Sequence, residues 1–209
     1  MADMEAPHSP AAEKAPGAAR THAPAGATET DARPGTTVAV DSPERMRELG
    51  RALAALLRPG DLVMLTGELG AGKTTLARGL GEGLGVRGAV TSPTFVIARV
   101  HPSLVGGPAL VHVDAYRLGG GLDEMEDLDL DVSLPDSVVV VEWGDGKVEE
   151  LSDDRLRVVI HRMVGGDQGA ATGHGGTEHG ETRYDDRRTV TLTGFGSRWS
   201  KTDLGVLTD

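Results

Sequence analysis

The stretch GELGAGKTT, residues 67–75, constrains this chain more than any other. Its spacing is G-x-x-x-x-G-K-T, and it follows the apolar run Leu62-Val63-Met64-Leu65. Glycines let the backbone curl so that successive N–H groups point inward at phosphate oxygens. A helix that follows adds the positive end of its dipole. In such a loop Lys73 reaches the β and γ phosphates, and the Thr74 hydroxyl ligates Mg²⁺. A Gly-rich chain would carry the pattern by accident in roughly one case in a hundred, from residue frequencies applied to the motif. Its position between a predicted strand and a predicted helix counts against accident. Nucleotide binding is the expectation.

The flanking pattern supports that placement. Val38-Ala39-Val40 reads as a short strand. Asp41 and Ser42 are good helix caps, with Pro43 and Glu44 in the first turn. Met46, Leu49, Leu53, Leu56 and Leu57 recur at helical spacing until Pro59-Gly60 stops the helix. Residues 62–65 read as a strand buried on both faces. Residues 74–84 read as a helix with Leu76, Leu80 and Leu84 on one side and Gly85 as its stop. The segment becomes strand-like at Phe95-Val96-Ile97, and residues 109–114 form an apolar strand. Residues 122–130 are acidic with helical potential, and 138–141 are four valines. Residues 156–163 and 189–193 alternate and could pair as a hairpin. Strands alternating with helices, then strand-rich sequence, predict an α/β fold whose mostly parallel sheet has an antiparallel extension.

A phosphate loop needs a second anchor for Mg²⁺, usually an acid at the end of a neighbouring strand. Asp114 follows ALVHV and Glu142 follows VVVV. Both should emerge at the carboxyl edge of the sheet, where α/β proteins bind ligands. One would hold the metal and the other would orient water; sequence leaves the two roles open. A single strand-end acid is as often a loop cap, but two beside a phosphate loop favour function. The segment Thr91-Ser92-Pro93-Thr94-Phe95 lies where related loops carry a nucleotide-sensing switch. Its local chemistry favours an ordinary turn. The acidic residues Asp123, Glu124, Glu126, Asp127, Asp129 and Asp131 read as a solvated face.

Composition bounds the partners. The net charge is -11, which argues against tight independent binding to RNA or DNA. Aromatic residues are 3%, leaving few platforms for stacked bases. There is no Cys, so thiol catalysis is excluded and a reducing cytoplasm is expected. No stretch approaches about 18 continuous apolar residues, so no membrane span is expected. Residues 1–36 hold no Leu, Ile, Val or aromatic side chain and read as a disordered tail without a targeting pattern. The domain is expected over 37–200, with a flexible Gly/His-rich insertion at 164–183 and a C-terminal tail at 201–209. His161, His174 and His179 lack metal-ligand spacing and read as solvated.

GELGAGKTT, SPTF, HVDAYRL and VEWGD stand in that order along the chain. The series resembles the TsaE family, bacterial ATPases of tRNA threonylcarbamoyladenosine biosynthesis. The resemblance covers roughly residues 37–163. It implies a three-layer fold of the P-loop NTPase type. It implies ATP held by Gly67, Gly70, Ala71, Gly72, Lys73, Thr74 and Thr75, with Thr94, Asp114 and Glu142 around Mg²⁺ and the γ-phosphate. Trp143 is similar to the family's Trp beside the nucleotide. Tyr116 and Arg117 match the family too, without a role that chemistry assigns. The resemblance further implies partners, TsaD and TsaB, that carry the tRNA contacts while ATP hydrolysis supports their turnover.

Three rivals are weaker. A small-molecule kinase needs an Arg-bearing lid, and residues 165–182 contain no Arg. A GTP switch needs D-x-x-G and N-K-x-D; Asp114 is followed by Ala115-Tyr116-Arg117, and the chain has no Asn. A domain that holds nucleotide only as a structural ligand would not need Lys73, Thr74 and both acids.

Overall fold

A computed structural model describes residues 34–93, 96–118, 128–163 and 187–208. In chain order the main elements are β1 (Thr36–Val40), α1 (Pro43–Ala54), β2 (Leu62–Gly67), α2 (Lys73–Gly83), β3 (Ala98–His101), β4 (Ala109–Asp114), β5 (Ser137–Glu142), β6 (Arg155–Arg162) and β7 (Arg188–Phe195). Most of the expected tail, the insertion at 164–183, Thr94, Phe95 and residues 122–127 of the acidic stretch lie outside the described residues.

One seven-stranded sheet runs β1-β7-β6-β2-β5-β4-β3. Its centre is parallel: β2 pairs β5 and β6, and β4 pairs β5. The expected single antiparallel extension becomes two. β7 and β1 extend one side and β3 the other, all antiparallel. Only residues 102–108 join β3 to β4, too few for the crossover a parallel pair needs, so β3 pairs antiparallel at its edge. The β6–β7 hairpin pairs from Arg155↔Phe195 to Arg162↔Arg188, longer than its alternating core suggests.

Alternation along β2 splits its side chains between two cores. Val63 and Leu65 join Leu53, Leu76, Leu80, Val138 and Val140 beneath α1 and α2. Leu62 and Met64 join Val111, Val113, Val139 and Val141 on the other face. This is the two-faced burial expected of an unbroken apolar strand between parallel neighbours. Among the described residues, the second face is covered by Leu118, Leu130, Leu134 and Val148, from a short helix Leu130–Ser133 and turns rather than long helices.

α1 starts where its cap predicts: the Ser42 side chain accepts from the Arg45 amide at 3.2 Å. It ends earlier than Leu57, and Leu56 and Leu57 sit in the following turn. α1 and α2 pack through small residues; a Cβ on Gly50 would come within 2.5 Å of the Leu76 carbonyl. β3 begins at Ala98 rather than Phe95. The Pro93 carbonyl accepts from the amides of Val96 (2.8 Å) and Ile97 (2.7 Å), which turns the chain before the strand can form. Leu204 and Leu207, in the stretch read as a C-terminal tail, are buried in the core with Trp199. The Arg198 guanidinium anchors that end, donating to both Asp61 oxygens at 3.1 and 3.0 Å and to the Leu56 carbonyl at 2.6 Å.

Candidate functional site

Because β2, β4 and β5 are parallel, Gly67, Asp114 and Glu142 end on one edge of the sheet. The chain leaving β2 forms the Gly-rich loop and turns straight into α2. Gly67, Gly70 and Gly72 all have positive φ, at 150°, 77° and 113°. Gly67 must also lack a side chain, since a Cβ there would lie 2.5 Å from the Ile160 carbonyl. Gly72 caps α2 in the left-handed region without a side-chain cap, so the loop and helix start offer backbone N–H groups to a ligand. Ala71 is buried, and its carbonyl accepts from Arg188 Nε at 2.9 Å, which braces the loop against β7.

A cavity of about 360 Å³ opens here, lined on one side by Gly70, Gly72, Lys73, Thr74 and Thr75. Ser92, Asp114, Tyr116, Glu142 and Trp143 line the other. The structure thus brings together the loop, both acids and Trp143, as their sequence patterns predict. Thr94 lies outside the described residues.

The Lys73 ammonium donates to the carbonyls of Gly67 (2.7 Å) and Glu68 (3.0 Å) and sits 3.8 Å from the centre of the Trp143 ring. Burial pushes the Lys73 ammonium below its ordinary pKa, while Glu142 and then Asp114 pull it back up. Trp143 adopts a φ of 61°, unusual for a bulky residue, and its amide donates to the Leu65 carbonyl at 3.2 Å. That backbone turns the indole toward Lys73 and to within 5.3 Å of the Tyr116 ring. Trp143 is therefore a wall of the cavity, while the core Trp is Trp199. Tyr116, which the sequence matched to the family without a role, is the second aromatic wall.

Asp114 and Glu142 are register partners on adjacent strands, and both are buried. Glu142 Oε1 accepts from the Thr74 hydroxyl at 2.9 Å and lies 2.9 Å from His112 Nε2. Asp114 accepts from the Ser92 hydroxyl at 3.1 Å and from the Tyr116 amide at 3.1 Å. Sequence reasoning missed two of these partners. Ser92 sits in the segment read as an ordinary turn, yet it faces the cavity. His112 carried a signal: in ALVHVD it occupies an alternate position that a two-faced strand should fill with an apolar side chain.

Residues 40–168 match the family model of threonylcarbamoyl adenosine biosynthesis protein TsaE. The chain is 70% identical over 162 residues to a Streptomyces coelicolor protein named tRNA threonylcarbamoyladenosine biosynthesis protein TsaE, covering 78% of this chain and 99% of that one. A Bacillus subtilis protein of the same name is 36% identical over 76% of this chain and 85% of its own. A crystal structure of Bacillus subtilis YdiB superposes with a TM-score of 0.57 at 32% identity, covering 80% of this chain and 90% of that one. With the family match spanning the strand–loop–helix unit, both strand-end acids and Trp143, the chain belongs to the TsaE family.

Proposed function

We propose that this chain binds Mg-ATP across residues 67–75 and hydrolyses it to support a TsaD–TsaB complex that forms threonylcarbamoyladenosine in tRNA. The observation that carries the chemistry is the convergence of Lys73, Thr74, Asp114 and Glu142 on one cavity at the carboxyl ends of parallel strands. The names of its relatives support the biosynthetic role.

The donors suit Mg²⁺. The Thr74 hydroxyl and the two carboxylates are hard oxygen ligands. Among the described residues no group of three or more His, Asp or Glu side chains forms a metal cage of its own. Mg²⁺ is usually held by one or two carboxylates together with substrate phosphates, and this donor set matches that habit. Bound there, the ion would neutralise charge developing on the β and γ oxygens.

The protein's own groups divide the remaining work. Lys73 and the loop amides stabilise charge on the transferring phosphate. Thr74 and Glu142, 2.9 Å apart, form the metal-holding pair. Asp114, on the neighbouring strand, orients the attacking water. The chain's only Gln, Gln168, lies outside the described residues. Among the described residues no Gln lines the cavity; in this reading a partner supplies the group that completes the site, and hydrolysis by the chain alone is slow. The net charge of -11 supports a division of labour in which partners carry the tRNA contacts.

The test is phosphate release from ATP by the purified chain, alone and with a TsaD–TsaB pair. Slow release that rises with the partners is expected. Fast release alone, or indifference to the partners, would remove the partner-completed site. ATP consumption only with an added small-molecule acceptor would make the protein a kinase instead.

A further inference from the structure

His112 has no place in the chemistry described so far, yet it is fully buried in the middle of an apolar strand. Its register partner is Val140, and Glu142 follows two residues on, so the imidazole and the carboxylate share one face of the sheet. Burying an imidazole costs free energy unless its polar atoms find partners. Here Nε2 lies 2.9 Å from Glu142 Oε1, while Nδ1 is buried with no hydrogen-bond partner. A carboxylate only accepts, so the ring nitrogen facing it, Nε2, is the one that carries a proton. One good bond and one unsatisfied atom is a poor arrangement for stability alone. A valine or leucine would fill the position as its neighbours do.

The second bond to Glu142 explains why the His is there. Thr74 also donates to the same carboxylate, at 2.9 Å to Oε1 and 3.2 Å to Oε2. If Thr74 turns its hydroxyl oxygen to a bound cation, as the proposed function requires, its hold on Glu142 changes. His112 has no competing duty and stays. We infer that His112 is a positioning residue that fixes the Glu142 carboxylate through Nε2–H, keeping it aimed at the cavity when Thr74 engages the metal. This inference rests on the Mg-ATPase reading and adds a residue to it.

The test uses the full chain and three substitutions. Leu fills the space without a donor. Gln places an amide N–H where Nε2 stands, and Asn places one nearer the position of Nδ1. His112→Leu should raise the Mg²⁺ concentration for half-maximal ATPase by about tenfold to a hundredfold, the usual cost of losing a group that orients a metal ligand. Mg²⁺-free ADP affinity should not move. His112→Gln should recover most of the loss, and His112→Asn should not. Independently of activity, ¹⁵N-resolved NMR of the imidazole should show Nε2 protonated, with a downfield, exchange-protected proton that disappears in Glu142→Ala. Equal behaviour of the Gln and Asn variants, an unchanged Leu variant, or a proton on Nδ1 would overturn the inference. If the wild-type chain hydrolyses no ATP even with the partners, the functional reading fails instead, and the imidazole resonance still decides whether His112 holds Glu142.

Discussion

The ends of β4 and β5 look alike in sequence and differ in the folded molecule. Each is an apolar run closed by a carboxylate, and the two carboxylates sit side by side in register. Asp114 is held by nearby loops: the Ser92 hydroxyl and the amide of Tyr116, two residues ahead. Glu142 is held by distant elements: Thr74, 68 positions away on α2, and His112, 30 positions away on β4. A carboxylate tied to a loop can follow that loop when a ligand rearranges it. One tied to a helix start and a buried strand keeps its place. Under the proposed function, that contrast would put Glu142 on the metal side and Asp114 with the attacking water.

Four experiments would break or sharpen that contrast. Lys73→Ala serves both ends at once and should lower ATP hydrolysis by on the order of a hundredfold or more. A fully active mutant would remove the phosphate loop from the account. Asp114→Asn should lower kcat by about a hundredfold while leaving the Mg²⁺ requirement in place. Glu142→Ala should slow hydrolysis more than it weakens nucleotide binding, and should raise the Mg²⁺ requirement by about tenfold. Titrating Mg²⁺ against both mutants separates the roles; the opposite pattern would exchange them. Ser92→Ala should cost only a few-fold in kcat, about 1 kcal/mol for one hydrogen bond to a carboxylate that keeps its Tyr116 contact.

The smallest effect belongs to the far end of β3. Burial lowers the pKa of His101, partly opposed by its bond to the Arg87 carbonyl, with the nearby Arg99 charge lowering it further. The native pKa lies below the unfolded value of 6.5. The unfolded chain therefore takes up a proton first, and stability falls as pH drops through 6.5 toward the lower native value. Denaturant titrations should show that slope flattened in His101→Asn. An unchanged slope would mean the ring is protonated as readily in the native state.

The local patterns were legible where the physics is local. Ser42 caps α1, the glycines of 67–72 give positive φ where a curled loop needs it, and the apolar run of β2 is buried on both faces. The start of β3 was misplaced because the Pro93 turn competes with strand propensity, and propensity alone does not weigh that bond. The second antiparallel edge was also hidden. Alternation tells which side chains a strand buries but not which strand or loop covers them.

The sequence by itself determined the phosphate loop, the two acids at strand ends and the alternation that builds one sheet with two cores. All of these depend on spacing within a few residues. Only the tertiary structure decided that β4 and β5 are neighbours in register, that Glu142 lies between Thr74 and His112, and that Trp143 turns back over Lys73. Those contacts join residues 28 to 70 positions apart. They depend on the order in which parallel strands enter the sheet, which no local periodicity encodes.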